Sequence, residues 1–168
     1  METTNVEKQY PLIYVDAPWE SEQWPLEKIR GLPVEKWAAE DALLLMWAPM
    51  ALVPDALLLL RVWKFDYAGL LMWRKQNENI DAYWFACNGE FLLVAKRGVA
   101  KTSYLLRHTI YDGARTEGEY KPEGFRSLLL TAGFICFDKI VPHLDLFGAY
   151  WQCIYPEYKK KDWDFLEG

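Results

Sequence analysis

The apolar run Leu12-Ile13-Tyr14-Val15 ends on Asp16-Ala17-Pro18-Trp19. Within four residues the chain supplies a carboxylate, a backbone carbonyl aimed by a following proline, and a large aromatic plate. All stand at the carboxyl end of what reads as a buried strand, the place where open α/β sheets bind their ligands. These residue types suit the handling of a flat heteroaromatic base. The acid and the carbonyl of Ala17 can accept the two protons of an exocyclic amine, Pro18 fixes the turn, and Trp19 can stack on the ring face.

An adenine amine is a poor nucleophile because its lone pair is delocalised into the ring. Accepting hydrogen bonds from its protons draws it toward tetrahedral geometry. If the electrophile is the sulfonium methyl of S-adenosylmethionine, the task is in-line positioning in a dry pocket with electrostatic support for the developing cation. No metal is required, and the two histidines, His108 and His143, form no cluster at zinc-ligand spacing.

The elements that must position these groups follow from the apolar pattern. Short continuous runs at 12–15, 42–47, 67–73, 91–96, 134–140 and 144–147 read as strands, with a further short strand at 105–111. Residues 20–33 read as a loop containing Trp24, 34–40 as a short helix, and 50–64 as a helix that tolerates Pro54 only in its first turn. A helix over 121–132 carries Phe125, Leu128 and Leu129 as its apolar stripe, with Gly133 at the C-cap position. Alternating strands and helices of these lengths predict an α/β chain with a mostly parallel, doubly wound sheet and helices on both faces.

The 168 residues are enough for one domain with a sizeable core, expected over 1–168 with flexible tails at 1–9 and 159–168. Lys plus Arg total 19 against 24 Asp plus Glu, a net charge of −5, so the overall field does not attract polyanions and any nucleic-acid contact has to be local. Basic residues cluster at Lys96-Arg97 with Lys101, at Arg107-His108 and at Lys159-Lys160-Lys161. Cys87, Cys136 and Cys153 are odd in number and widely spaced, which indicates a reducing, cytoplasmic setting without a disulfide frame. The longest apolar stretch, 50–60, contains Asp55 and is too short to span a bilayer. Residues 1–9 have neither signal-peptide nor transit-peptide character.

The tetrapeptide at 16–19 resembles the Asp-Pro-Pro-Trp motif of the adenine-N6 methyltransferases of the type that modifies eukaryotic messenger RNA, a family with many bacterial and phage members. Later segments resemble the family in order. Trp73-Arg74-Lys75-Gln76-Asn77 is similar to its Trp-x-Lys-x-Asn segment, and the strand from Asn88-Gly89-Glu90 to Gly98 to its His-Glu-x-x-Leu-x-x-x-x-Gly strand. Lys121-Pro122-Glu123 is similar to its Lys-Pro-Asp/Glu box, and Leu144-Asp145-Leu146-Phe147-Gly148 to its Glu-Leu-Phe-Gly strand end. Together they span residues 12–148.

The resemblance implies a Rossmann-like S-adenosylmethionine-dependent methyltransferase with a target-amine site at Asp16, Ala17, Pro18 and Trp19. Asp16 and Pro18 would also lie near the methionine end of the cofactor. Lys121 would hold its carboxylate as a compact point charge, and Asp145, Phe147 and Gly148 would border its pocket. Trp19, Lys75 and Glu90 would lie on the substrate side.

The chain departs from the family at Ala17, which replaces the first proline, and at Gly89, which stands where His is frequent. It departs also at Ala86-Cys87 in place of Arg-Asn, at Asp145 in place of Glu, and at Ala149 in place of an Arg that commonly helps bind cofactor. A terminal Gly-Asn pair that would reach the cofactor's ribose is not evident.

The function expected is methyl transfer to the 6-amino group of adenine in nucleic acid. DNA is favoured over RNA because compact members without targeting domains resemble the phage and bacterial branch, in which case a phage-encoded chain would act in the host cytoplasm. A homodimer or a partner subunit would supply most of the grip on nucleic acid. The competing expectation is a catalytically degenerate member serving as a nucleic-acid-binding or scaffold subunit, and a third is methylation of a free nucleobase or nucleotide. Without the resemblance, Asp16 reads more readily as a turn acid and Lys121-Pro122 as a helix entrance; Glu90 and Lys75 read as well as surface charges.

Overall fold

The computed structural model describes residues 8–76, 89–104, 109–114, 141–147 and 163–166, with 121, 125, 128, 132, 136 and 137. Among them a seven-stranded sheet is built from β1 (Tyr10–Val15), β2 (Ala38–Pro49), β3 (Asp66–Gln76), β4 (Gly89–Arg97), β5 (Ile110–Ala114), β6 (His143–Leu146) and β7 (Trp163–Leu166). Its order is β5-β3-β4-β2-β1-β6-β7.

This sheet overturns the expected mostly parallel, doubly wound Rossmann-like arrangement with helices on both faces. It is mixed: β4 runs antiparallel to both of its neighbours, β2 and β3, while β1 pairs in parallel with β2 and β6. A continuous apolar strand reads alike in either direction, so the sequence carries no mark of this reversal. The helices with described bounds are α1 (Leu26–Arg30), α2 (Val34–Trp37) and α3 (Val53–Val62), the last entered through a single 3₁₀ turn at Met50–Leu52. All three contribute buried residues to the core cluster on one face of the sheet, among them Ile29, Val34, Ala56, Leu59 and Leu60.

Alternation along the strands divides the core. Ile13, Val15, Leu44, Met46, Leu93 and Ala95 face α1, α2 and α3, and Leu12, Tyr14, Leu43, Leu45, Trp47, Leu92 and Val94 face the other way. β2 is central, and residues 42–48 are buried without interruption because both faces and both edges are covered.

In α3, Pro54 occupies the first turn as expected, Asp55 stands at its start and Arg61 at its end, each favourable to the helix dipole. The helix ends in a Schellman turn: the Phe65 amide donates to the Leu60 carbonyl at 2.9 Å and the Lys64 amide to Arg61 at 3.2 Å. Lys64 holds the left-handed position at φ 62°.

Further departures are local. The loop expected over 20–33 contains α1, and α2 ends at Trp37 rather than 40. Cys136 and Phe137 are helical where a strand over 134–140 is expected. With Phe125, Leu128 and Ala132 they keep near-helical spacing against the second core cluster, and that periodicity outweighs the β-propensity of the local residues. The stretch expected as a flexible tail from 159 contains β7, which pairs in parallel with β6. Among the described residues no helix is long and apolar enough to cross a membrane.

Candidate functional site

β1, β2 and β3 end at one margin of the sheet, and β4, because it is reversed, begins there. Glu90 lies opposite Pro49 on one side and Trp73 on the other. The two-residue period places Glu90 on the face that carries Trp47, Leu92 and Trp73, and Lys75 follows Trp73 on that face. Asp16 follows β1 directly, its amide donating to the Leu146 carbonyl at 3.1 Å, which ties it to the end of β6.

Four charged residues from four separate segments meet here. Lys121 Nζ lies 2.5 Å from Glu90 Oε1 and 3.5 Å from Asp16 Oδ1. The second oxygen of Glu90, Oε2, lies 3.2 Å from Lys75 Nζ. The order Asp16, Lys121, Glu90, Lys75 alternates in sign and sums to zero. The Lys121 side chain is only 9% exposed against 25% for Asp16, so this is a sheltered network with one wetter end.

The protonation states follow from these surroundings. Burial opposes the charge on Lys121, but Asp16 and Glu90 together outweigh it and hold its pKa above the ordinary lysine value, so it stays an ammonium. Burial pushes the Asp16 carboxyl up; Lys121 pulls it down and Glu90 pushes it further up, with a net rise.

Tryptophans frame the charges. The Trp19 indole donates to the Trp47 carbonyl at 3.0 Å. Trp47 Nε1 donates to the Tyr14 hydroxyl at 2.8 Å, and Trp73 Nε1 to the Gly113 carbonyl at 3.1 Å. Lys121 Nζ sits 4.9 Å from the Trp47 ring centroid, and Lys75 Nζ 4.8 Å from that of Trp73. Trp19 and Trp73 stand in segments that the sequence marks, whereas Tyr14 and Trp47 lie in apolar runs and look like any core residue.

The other expected residues are placed less uniformly. The Ala17 carbonyl accepts the Trp19 amide at 2.9 Å and the Pro18 carbonyl that of Ser21 at 2.9 Å, so the motif folds back on itself in tight turns. One lone pair of the Ala17 carbonyl is thereby engaged and the second is left for another donor. Asp145 is 1% exposed in β6, in register with Tyr14. Phe147 adopts a left-handed φ of 69°, and its ring meets the edge of Trp24 at 4.7 Å. That ring contact pins the loop after the motif to the end of β6, and Lys28 Nζ stands 3.9 Å from the Trp24 ring centroid. Gly148, Ala86-Cys87 and Ala149 lie outside the described residues.

Gly89 has a packing reason: a Cβ there would collide with the Met72 side chain and stand 3.3 Å from the Trp73 carbonyl, so a larger residue would have to displace Met72. Burial raises the Cys136 thiol to about 11, which makes it a poor nucleophile. Among the described residues no group of three or more His, Cys, Asp or Glu could hold a metal ion. Neither the known protein-family models nor the curated proteins contain a match to this chain.

Proposed function

We propose that the chain is an S-adenosylmethionine-dependent methyltransferase acting on the 6-amino group of adenine in nucleic acid, DNA in preference to RNA. The observation that carries this reading is the convergence of Asp16, Lys121, Glu90 and Lys75 at one sheet margin, beside the anchored indole of Trp19.

The residues present fit the cofactor. Lys121 has three donor hydrogens, of which Glu90 and Asp16 account for two, leaving one for a carboxylate. Asp145 and Phe147 border the adjoining end of β6. Bound there, S-adenosylmethionine supplies an electrophilic methyl group on a sulfonium. Asp16 accepts one amine proton of adenine, and the free lone pair of the Ala17 carbonyl accepts the other. Its raised pKa lets the Asp16 carboxylate hold the proton that the amine loses. Trp19 stacks on the base from a fixed orientation, because its indole N–H is already committed to Trp47.

Titration calorimetry with S-adenosylmethionine, followed by a methyl-transfer screen on adenine-containing DNA and RNA, tests this. Wild type binds and transfers, Lys121→Ala binds more weakly, and Asp16→Ala binds but does not transfer. A wild-type chain that binds nucleic acid yet neither binds the cofactor nor transfers methyl would instead be a scaffold subunit. Binding of an adenine compound that hardly changes with salt would point to a free nucleotide, since polymer binding weakens steeply.

A further inference from the structure

Trp47 is fully buried, yet three of its features are turned to the site rather than to the core alone. Its ring face lies 4.9 Å from Lys121 Nζ, its carbonyl accepts the Trp19 indole, and its own N–H is fixed by the Tyr14 hydroxyl. The ring cannot easily turn, because Phe125 and Trp73 meet it edge-on at centroid distances of 4.8 and 6.3 Å. A sheltered ammonium over an indole face is attracted by the ring quadrupole, most strongly where water is excluded.

We propose that Trp47 is a positioning residue that seats Lys121 and Trp19 in one frame. The role of those two residues in methyl transfer rests on the reading above; their placement by Trp47 does not. Its π face sets where the ammonium stands between Asp16 and Glu90, and its carbonyl sets the angle of the Trp19 plate. Ring and carbonyl belong to one fully buried strand residue, so the cation and the stacking plate are both referred to the same backbone position.

The test is made on the full chain labelled with ¹⁵N-lysine, in which the sheltered Lys121 ammonium gives a slowly exchanging signal, assigned by its absence in Lys121→Arg. Trp47→Leu removes the ring face and is expected to abolish that signal and to weaken S-adenosylmethionine binding about tenfold. Trp47→Phe restores a face, keeping the signal and an affinity within about threefold of wild type. An unchanged signal and affinity in Trp47→Leu would overturn the proposal, as would an equal loss in Trp47→Phe, which would show that only core packing had been damaged. Should Trp47→Leu fail to fold, Tyr14→Phe decides: releasing the indole N–H is expected to speed exchange of the Lys121 signal, and exchange at the wild-type rate would refute the inference. If wild type binds no S-adenosylmethionine, the methyl-transfer reading falls, and the ammonium signal alone decides whether Trp47 positions Lys121.

Discussion

Removing the positive charge at position 121 is expected to destabilise the fold by an amount that depends on whether Glu90 is still charged. With Nζ 2.5 Å from Glu90 and 3.5 Å from Asp16, the attractions at an effective dielectric of 20 are about 7 and about 5 kcal/mol. Most of this is offset by desolvating a buried ammonium, and experience with broken buried pairs gives a loss of about 3–5 kcal/mol. Glu90 retains Lys75 at 3.2 Å, and the wetter Asp16 can rehydrate, so Lys121→Met should cost about 3 kcal/mol, at the low end of that range. Glu90→Gln keeps an acceptor for Lys121 and should cost about 2 kcal/mol. In the double variant no charge remains at position 90 to miss Lys121, so it should cost about 3 rather than 5 kcal/mol, a coupling of about 2 kcal/mol. Urea denaturation at pH 7 of the four proteins measures it, and because the pair is sheltered the coupling should survive added salt. A coupling below about 0.5 kcal/mol would refute the view that these charges stabilise one another.

Asp16→Asn should abolish methyl transfer without destabilising the protein at neutral pH, because the native fold holds that carboxylate ionised against burial and against Glu90; denaturation beside a radiolabelled transfer assay checks both. The raised Asp16 pKa means that its ionisation erodes stability as pH rises from the ordinary carboxylate value through the raised one. Wild-type transfer should accordingly fall on the acid side with a midpoint above the ordinary carboxylate range, while the Lys121 contribution persists at neutral pH and is lost only as pH rises past its own raised value. Lys64→Gly should stabilise by about 0.5–1 kcal/mol, since lysine at φ 62° bears a strain that glycine does not; the shift in urea midpoint measures it. Gly98→Ala should destabilise by about 1–3 kcal/mol, because the residue has φ 66° and a Cβ there would collide with the Asp41 carboxylate and stand 2.7 Å from the Glu40 carbonyl; thermal melting checks it.

The site was more legible in the sequence than the fold that holds it. On residue type alone Asp16 reads as a turn acid, Lys121 as part of a helix entrance, and Lys75 and Glu90 equally well as surface charges; the order of the segments that carry them, 16–19, 73–77, 88–98 and 121–123, sets them apart. The direction of β4 has no such mark, because Phe91 to Ala95 is apolar throughout and pairs equally well either way. β7 was hidden since Trp163–Leu166 is four residues beside a run of lysines, and its pairing with β6 is a long-range event that local pattern cannot report. The helical backbone at Cys136 and Phe137 shows tertiary periodicity overriding local β-propensity.

The reversal of β4 has a consequence for how this site could diverge. Were β4 parallel, Glu90 would sit at the far margin, and bringing a carboxylate to Lys121 would need a residue at the strand's other end, fixed in register by the whole length of β2. Instead Glu90 is the second residue of its strand and stands on the margin where β1, β2 and β3 end. Pairing with Pro49 on one side and Trp73 on the other therefore fixes Glu90 in register, and a change in length between 76 and 89 would leave it in place. A charge network held this way changes its partners by substitution at position 90 and not by a change in loop length.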